Sequence, residues 1–196
     1  MSMRHIHQFT WFELFDQKEC DDVCKLMSEH PSINGVSSML SQKPSFRDKL
    51  ARNCKLAWIP MDQRSSWIYM KLRDQIMHLN ERWLNFDLNG EIEALQYLEY
   101  GFGQFYGWHT DSGHNEVATR KLTCIIQLSD PSDYVGGKLE VQSQTFTPQG
   151  HYVKYAPQRR GTVIVFPSHL LHIARPVWWG RRKALVAWFR GNQPLR

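Results

Sequence analysis

The sequence predicts a mainly β fold with helices in its N-terminal part, an α+β chain. From about residue 93 onward, short runs of β-branched, leucine and aromatic residues alternate with glycine and proline, as strands and turns do. No helical periodicity separates these runs. An antiparallel barrel, sandwich or jelly roll is therefore favoured over a parallel sheet with crossover helices.

Two segments near the N-terminus have the spacing of apolar residues that is typical of helices. Residues 16–30 begin with an acidic turn, and residues 65–86 repeat apolar side chains every three or four positions. Ser65 or Ser66 is expected to cap the second helix, because a serine hydroxyl accepts from the free amides of the first turn. We expect residues 34–52, which are polar and irregular, to form a loop.

These elements predict a single domain over residues 1–196. We expect residues 1–92 to be an N-terminal helical support region and residues 93–191 to be the β core. The strand-like runs of this core are residues 93–100, 121–129, 138–146, 161–167, 170–174 and 183–189.

Composition limits the class of protein. Hydrophobic residues make up 42% and aromatic residues 13% of the chain, which is enough for a core, and no apolar run reaches the about 18 residues that cross a bilayer. The four cysteines form no Cys-x-x-Cys pair, so we expect reduced thiols, a cytoplasmic location and Cys124 in the core. A solvated face explains the net charge of +5 better than a nucleic-acid surface does.

The stretch YGWHTDSG contains a candidate metal-binding pair. His109 and Asp111 are two positions apart, and residues at this spacing on a strand project from the same face. A divalent first-row metal needs a third ligand, and His172 in VIVFPSHLLHIARP is the candidate. Two histidines and one carboxylate leave metal positions open, as in the facial triad of non-haem iron(II) oxygenases.

Other interpretations of these histidines stay open at this point. The first pair is also compatible with an ordinary pair at the end of a surface strand. His114 and Glu116 form a second His-x-Glu pair, in a stretch whose glycine and asparagine favour a loop. His169 competes with His172 for the third position, and we expect it in a turn because it directly follows Pro-Ser.

Arg182 follows His172 by ten residues and opens a new apolar strand. A guanidinium directed into an apolar barrel needs an anionic partner, and its shape suits a carboxylate. A metal triad with such a clamp is what the binding of 2-oxoglutarate requires, since one end chelates the metal and the far carboxylate is held at the clamp. Arg181 and Lys183 are expected to be solvated, because neighbours on a strand face opposite ways.

Residues 95–191, about half the chain, resemble the iron(II)/2-oxoglutarate dioxygenases, most closely the prolyl-4-hydroxylase-like branch. LQYLEYGFGQFYGWHTDSG is similar to the first-ligand motif of that branch, in which Tyr-x-x-Gly and Gly-x-x-Tyr lead into His-x-Asp, and VGGKLEV resembles its double-glycine strand start. The resemblance implies a double-stranded β-helix (jelly-roll) core. It also implies that His109, Asp111 and His172 are the iron ligands.

The same resemblance implies roles for five further residues. Arg182 is matched to the residue that pairs with the far carboxylate of 2-oxoglutarate, and Tyr100 to a tyrosine that hydrogen-bonds this co-substrate. Gln127 stands where some relatives have a tyrosine or threonine that helps to hold the same carboxylate. Tyr106 is matched to a residue on the substrate side, and Trp188 to an inward tryptophan on the last strand.

The resemblance also chooses the inner face of the last strand. Arg182, Ala184, Val186 and Trp188 share one face, but the opposite face is apolar as well, so composition alone does not decide. With the arginine and the tryptophan both inside, the first face lines the barrel.

The activity implied is an Fe(II)/2-oxoglutarate-dependent dioxygenase that hydroxylates an unactivated C–H bond, with release of succinate and CO2. The substrate would be a prolyl or other amino-acid side chain in a peptide or small molecule. The cofactors implied are Fe(II), 2-oxoglutarate and O2, with ascorbate as a candidate addition. The prime substrate and the oligomeric state are left open.

Two other functions are considered. One is a nucleic-acid oxidative demethylase of the same superfamily, which is disfavoured because Trp188 replaces part of that family's arginine-rich pattern. The other is a metal-binding jelly-roll protein without catalysis, which is disfavoured because such a protein needs neither Arg182 nor Tyr100.

Substrate-selecting loops are expected over residues 34–50, 112–120 and 174–180. Trp178 and Trp179 in the last of these are equally compatible with an exposed rim and with a packed turn.

Overall fold

The computed structural model describes residues 9–28, 33–35, 51–147 and 150–194 of the chain. In these residues the chain is mainly β, with an antiparallel sheet that curls on itself and helices that pack against one side of it. The predicted mainly β class with N-terminal helices is confirmed.

The described α-helices lie in the N-terminal part of the chain, and strands occur both before and after them. Helix α1 spans Gln17–Ser28 and helix α2 spans Ser66–Leu79, which a π-helical turn over Asn80–Leu84 extends. The strands are β1 (Thr10–Glu13), β2 (Ile33–Gly35), β3 (Arg52–Ile59), β4 (Leu88–Ile92), β5 (Leu95–Tyr100), β6 (Phe105–His109), β7 (Arg120–Gln127), β8 (Tyr134–Gly136), β9 (Leu139–Thr147), β10 (Gly150–Tyr155), β11 (Thr162–Pro167), β12 (His172–Ala174), β13 (Val177–Gly180) and β14 (Arg182–Gly191).

The sheet curls into a jelly roll whose two halves are joined by β3. Its strand order is β1-β11-β7-β14-β5-β3-β6-β12-β9-β10, with β2 beside β3 and β4 beside β14. Lys55 to Ile59 pair with β5, whereas Arg52 and Asn53 pair with β6. Strands β8 and β13 form a separate two-stranded ribbon. This is the double-stranded β-helix that the resemblance implied.

Two central strands, β7 and β14, separate the barrel interior from the helices. On β7, Leu122, Cys124 and Ile126 pack in one core with the helices, whereas Ile125 packs in a second core inside the barrel. Strand β14 alternates in the same way. Cys124 is fully buried, as predicted. The helix side chains buried in the first core are Cys20, Val23, Leu26, Met27, Ile68, Tyr69, Leu72 and Ile76.

The helix predictions are confirmed, with one correction to a cap. The segments 16–30 and 65–86 correspond to α1 and to α2 with its π-helical turn. Ser65 occupies the cap position of α2, but its hydroxyl donates to the carbonyl of Pro60 at 2.6 Å instead of capping the helix. The carboxylate of Asp62 accepts from the backbone amide of Ser65 at 2.9 Å, so an aspartate orders this turn.

The loop predicted over residues 34–52 is wrong at both ends. Strand β2 extends to Gly35 and pairs with β3, which begins at Arg52, while residues 36–50 lie outside the described residues. The first half of β3 alternates buried and exposed side chains, and its polar residues conceal the strand. The domain division at residue 92 stays a prediction, although β1 and β3 of the N-terminal region belong to the main sheet.

The strand-like runs of the core correspond to β5, β7, β9, β11, β12 and β14. In the described part of the chain, neither helix is long and apolar enough to cross a bilayer.

Tyr69 links α2 to two strands and provides a test of this packing. Its buried hydroxyl donates to the carbonyl of Ile59 at 2.6 Å and accepts from the amide of Leu95 at 3.0 Å. Tyr69→Phe leaves both backbone groups unpaired, so we expect the free energy of unfolding to fall by about 1–3 kcal/mol. Urea denaturation followed by circular dichroism measures this loss.

Met70→Ala is the matched control, because Met70 is exposed on the same helix. We expect this variant to stay within about 0.5 kcal/mol of the unmodified protein. Equal losses in the two variants would contradict the bridging role of the hydroxyl.

Candidate metal centre

Two histidines face each other across the neighbouring strands β6 and β12. The register places His172 opposite His109, and their ring centroids are 4.0 Å apart. The Nδ1 of His109 lies 2.7 Å from the carbonyl oxygen of Gly107, and that of His172 lies 3.0 Å from the carbonyl oxygen of Leu170. A carbonyl only accepts, so Nδ1 donates in both rings and each Nε2 keeps its lone pair for a metal.

Asp111 completes the group from the turn that follows β6. Its Oδ1 lies 3.6 Å from Nε2 of His109, and its Oδ2 lies 3.4 Å from Nε2 of His172. Strand β6 ends at His109, so the expectation that both residues project from one strand is wrong. The amide of Asp111 donates to the carbonyl of Ser168 at 2.9 Å, and the hydroxyl of Thr123 donates to Oδ2 at 2.8 Å. These bonds direct the carboxylate inward without the strand.

The three side chains form one group suited to a metal ion. One ligand atom from each lies within 4.8 Å of the others, and among the residues that the structure describes no other cluster of histidine, cysteine or carboxylate meets this condition. His114 and Glu116 are exposed at a short 3-10 helix, and His169 lies in the turn after β11. The rival ligands are therefore outside the group, as the sequence favoured.

Burial and mutual charge set the protonation of these ligands. Burial, together with the neighbouring His172, lowers the pKa of His109 to about 3. Burial raises the pKa of Asp111, but the neighbouring His172 and His109 together lower it by more. The pKa of this carboxyl therefore lies below its usual value. At neutral pH the group therefore offers a neutral His109 imidazole and an ionised carboxylate, which are the forms that bind metals.

Arg120 supports the carboxylate ligand from behind, a role that the sequence analysis missed. Its Nη1 donates to the backbone carbonyl of Asp111 at 3.2 Å. Its Nε and Nη2 donate to the two carboxylate oxygens of Glu93, at 2.8 and 2.5 Å. The guanidinium also stands 3.9 Å from the ring centre of Trp188. Arg120 opens strand β7, but nothing in its own segment indicates that Glu93 is its partner.

Arg182 is buried on β14, directly opposite Tyr100 of β5. Its Nη2 donates to Oε1 of Gln127 at 3.0 Å, and its guanidinium lies 5.5 Å from the ring centre of Tyr100. Its Nε has no hydrogen-bond partner, and no carboxylate among the described residues pairs with it. A buried guanidinium in this state is suited to an anion that enters from the cavity.

The residues around Arg182 hold it in place. A Cβ on Gly137 would lie 2.9 Å from Cδ of Arg182, and the φ of +59° at Gly137 also favours glycine. The amide nitrogen of Gln127 donates to the carbonyl of Pro157 at 2.9 Å. Both ends of the Gln127 amide are thus engaged, one of them with the arginine. Contact of Gln127 with a co-substrate stays a prediction.

One cavity joins the metal ligands to Arg182. Ala184, Val186 and Trp188 line it together with the arginine, so the inner face of β14 is the one that the resemblance chose. Tyr106 lines the same cavity and stacks on His109, with ring centroids 3.4 Å apart.

The structure also places the residues on the opposite face of β14 and the two tryptophans whose position the sequence left open. Arg181 is exposed and Lys183 is half-buried on the face away from the cavity. Trp178 and Trp179 on β13 are 60% and 63% exposed, so the exposed alternative holds for this pair.

Residues 95–190 match the family described as the 2OG-Fe(II) oxygenase superfamily. A PKHD-type hydroxylase of Sphingopyxis alaskensis is 32% identical over 136 residues, which are 67% of this chain and 58% of that protein. A PKHD-type hydroxylase of a Synechococcus species is 37% identical over 104 residues, 53% of this chain and 44% of that protein. The chain spans about half the length of the curated relatives that it matches.

Solved structures share the fold over nearly the whole chain. A prolyl-4-hydroxylase of Pseudomonas putida has a TM-score of 0.70 at 17% identity, over 95% of this chain and 94% of that one. A prolyl hydroxylase of Trichoplax adhaerens, in complex with a hypoxia inducible factor peptide fragment, has a TM-score of 0.72 at 20% identity, over 94% of this chain and 84% of that one. With its matched sequence family and its hydroxylase relatives, the chain belongs to the 2OG-Fe(II) oxygenase superfamily.

Proposed function

We propose that this chain is an Fe(II)/2-oxoglutarate-dependent dioxygenase that hydroxylates an unactivated C–H bond of a prolyl or other amino-acid side chain. One observation carries the proposal. Three ligand atoms suited to Fe(II) and a buried arginine without a carboxylate partner in the described residues line the same cavity. A protein that only binds metal needs the first feature and not the second.

His109, Asp111 and His172 would hold the metal. Their two imidazoles and one carboxylate are the donor set that leaves one side of an iron(II) ion open. When bound, the iron supplies the activation of O2, of which one atom enters the C–H bond and the other enters the succinate formed with CO2 from 2-oxoglutarate. The chain orients the ligands beforehand, through backbone carbonyls behind both rings and through Thr123 at the carboxylate.

Arg182 would hold the far carboxylate of 2-oxoglutarate. A guanidinium can donate two parallel hydrogen bonds to one carboxylate, and Gln127 keeps this guanidinium in a fixed place. Tyr100 lies beside it on the cavity wall. The apolar side chains of Ala184 and Val186 would keep water from the pair, which strengthens the attraction between the charges.

The substrate side of the proposal rests on Tyr106 and Trp188. Both line the cavity that the metal ligands also line. The hydroxylase names of the relatives support the same chemistry. Ascorbate stays a candidate addition to the cofactors.

The direct test combines two measurements on the purified protein with Fe(II) and 2-oxoglutarate. Succinate release is measured with and without peptide and amino-acid libraries, and the libraries are examined for the gain of one oxygen atom by mass spectrometry. Substrate-stimulated succinate release together with an oxygenated product supports the proposal. Metal binding without succinate or an oxygenated product would mean that the protein binds a metal but is not a dioxygenase.

The first prediction on this site concerns the ligands. His109→Ala, Asp111→Ala and His172→Ala should each abolish turnover and weaken metal binding, because each removes one donor of the triad. Calorimetric titration with Mn(II), together with succinate release, measures both effects.

His114→Ala and His169→Ala are the controls for the ligand set, and both should leave metal binding intact. Activity lost in the His169 variant but kept in the His172 variant would show that the third ligand is assigned wrongly.

The second prediction concerns Arg182. Arg182→Ala should weaken 2-oxoglutarate binding by roughly 2–5 kcal/mol, as expected when a buried charge loses its partner. The affinity of Arg182→Lys for 2-oxoglutarate should lie between those of Arg182→Ala and the unmodified protein, because lysine keeps the charge and loses the pair of parallel donors. Titration of 2-oxoglutarate into the Mn(II)-loaded protein under nitrogen gives the affinities.

Lys183→Ala is the control, on the opposite face of the same strand. It should change neither metal nor 2-oxoglutarate affinity. Loss of 2-oxoglutarate binding in this variant, with normal binding in Arg182→Ala, would show that the inner face of β14 is assigned wrongly.

The third prediction concerns Gly137. Gly137→Ala should weaken 2-oxoglutarate binding less than Arg182→Ala does, because the added methyl group pushes the arginine aside without removing it. Gly103→Ala is matched to it, since Gly103 also has a positive φ but no atom within 4 Å of the new Cβ. If both variants bind 2-oxoglutarate equally well, the space at Gly137 is not needed by the clamp.

A further inference from the structure

A second buried arginine, Arg52, lies inside the barrel at the start of β3. It is 8% exposed. Its Nη2 donates to Oε1 of Gln96 at 2.8 Å, and its Nε donates to Sγ of Cys54 at 3.2 Å. Its guanidinium carbon stands 4.5 Å from the ring centre of Tyr106, which in turn stacks on His109. Arg52 is therefore separated from a metal ligand by one aromatic ring.

The charge of Arg52 has no counter-ion in the part of the chain that the structure describes. Its partners are an amide, a thiol and an aromatic ring, all of them neutral. Arg120, which is equally buried, is held by both oxygens of Glu93. An uncompensated buried cation destabilises a fold. Because Arg52 contacts Gln96 and Tyr106, which line the cavity, its charge indicates an anion that binds on this side of the cavity.

The proposed cofactors do not supply this anion. The charges of Fe(II) and Arg182 are balanced by Asp111 together with the two carboxylates of 2-oxoglutarate. Among the described residues next to the cavity, Arg52 is a further cation, and no carboxylate pairs with it. The group that neutralises it therefore belongs to the other reactant, the substrate.

The hydrogen-bonding groups next to Arg52 are matched to the same anion. Gln96 lines the cavity, and its amide oxygen is occupied by Arg52, so its amino group is left to donate. A guanidinium likewise only donates. Gln96 in the wall and Arg52 directly behind it thus fit an acceptor without hydrogens, and a carboxylate is the anionic acceptor of an amino acid.

We infer that the substrate presents a free α-carboxylate to Arg52 and Gln96, as a free amino acid or the C-terminal residue of a peptide does. The backbone of an internal peptide residue offers only neutral carbonyl groups and leaves Arg52 uncompensated. The inference rests on the proposed function and narrows its substrate.

The test compares matched pools of substrates with the protein loaded with Fe(II) and 2-oxoglutarate. The pools are free amino acids, N-acetyl amino acids and N-acetyl amino-acid amides, and the gain of one oxygen atom is measured by mass spectrometry. We expect product from at least one acid pool, with kcat/KM at least about 30-fold above that of the matching amide, the lower end of the effect of a buried charge pair. The two acid pools distinguish a free amino acid from a C-terminal residue.

Variants of Arg52 separate substrate binding from a structural role. Arg52→Gln should lower kcat/KM for the acid by about the same factor and leave that for the amide unchanged, whereas Arg52→Lys should keep part of the preference. Lys55→Gln removes a positive charge from the outer face of the same strand, where Lys55 pairs with Glu99 at 3.6 Å, and should change neither value. If Arg52→Gln fails to fold, the ratio of kcat/KM for the acid to kcat/KM for the amide is compared between the unmodified protein and Arg52→Lys. A smaller ratio in Arg52→Lys supports the inference.

Three results would overturn the inference and leave the proposed function standing. These are equal rates for acids and amides, an Arg52→Gln variant that lowers both alike, and succinate release without product from any pool. The second would mean that Arg52 only holds Tyr106 against His109. Absence of metal-dependent 2-oxoglutarate binding would instead refute the proposed function, and the inference with it.

Discussion

The position of every group in the cavity depends on the alternation of side chains along β7 and β14. Each strand is buried on both faces, with helices against one face and the cavity against the other. The apolar packing of residues such as Leu122 and Phe189 under the helices fixes which residues point the other way. A shift of register by one residue would turn Thr123 and Arg182 out of the barrel together, since side chains repeat every second position.

The second constraint is the closure of the barrel between β6 and β12. This pairing sets His172 opposite His109, although the two lie far apart along the chain. Asp111 has no strand to hold it, and the turn that carries it is fixed by the carbonyl of Ser168 and by Arg120. The metal site is therefore a product of tertiary packing, and its short sequence motif supplies only the ligand types.

The features that the sequence predicted are those carried by short segments. His109, His172 and Arg182 stand in motifs whose order and spacing place them around one cavity, and strand alternation assigns the inner face of β14 once one of its residues is placed. Strand β3 was missed because its polar positions resemble a loop. Asp111 was expected on the strand because spacing cannot show that β6 ends two residues earlier, at His109.

Partnerships between distant residues account for most of what was not predicted. Arg120 and Glu93 are 27 positions apart, and Arg52 and Gln96 are 44 apart, so no local pattern joins them. Each arginine alone resembles a solvated surface residue, because arginine is rarely buried without a partner. Only the fold shows that these side chains point inward.

What a buried arginine does in this barrel depends on whether the chain itself neutralises it. Arg120 pairs with both carboxylate oxygens of Glu93, which Arg190 also contacts, so Arg120 can serve as a fixed support for the turn that carries Asp111. Among the described residues, Arg182 and Arg52 contact only amides, a thiol and aromatic rings, and both positive charges are buried in a region of low dielectric constant. A ligand that brings negative charge into the cavity offsets the free-energy cost of these buried positive charges. Such a ligand binds the folded chain but not the unfolded one. The stability of the fold and the occupancy of its cavity are therefore linked, because a ligand that neutralises either arginine stabilises the whole barrel by mass action.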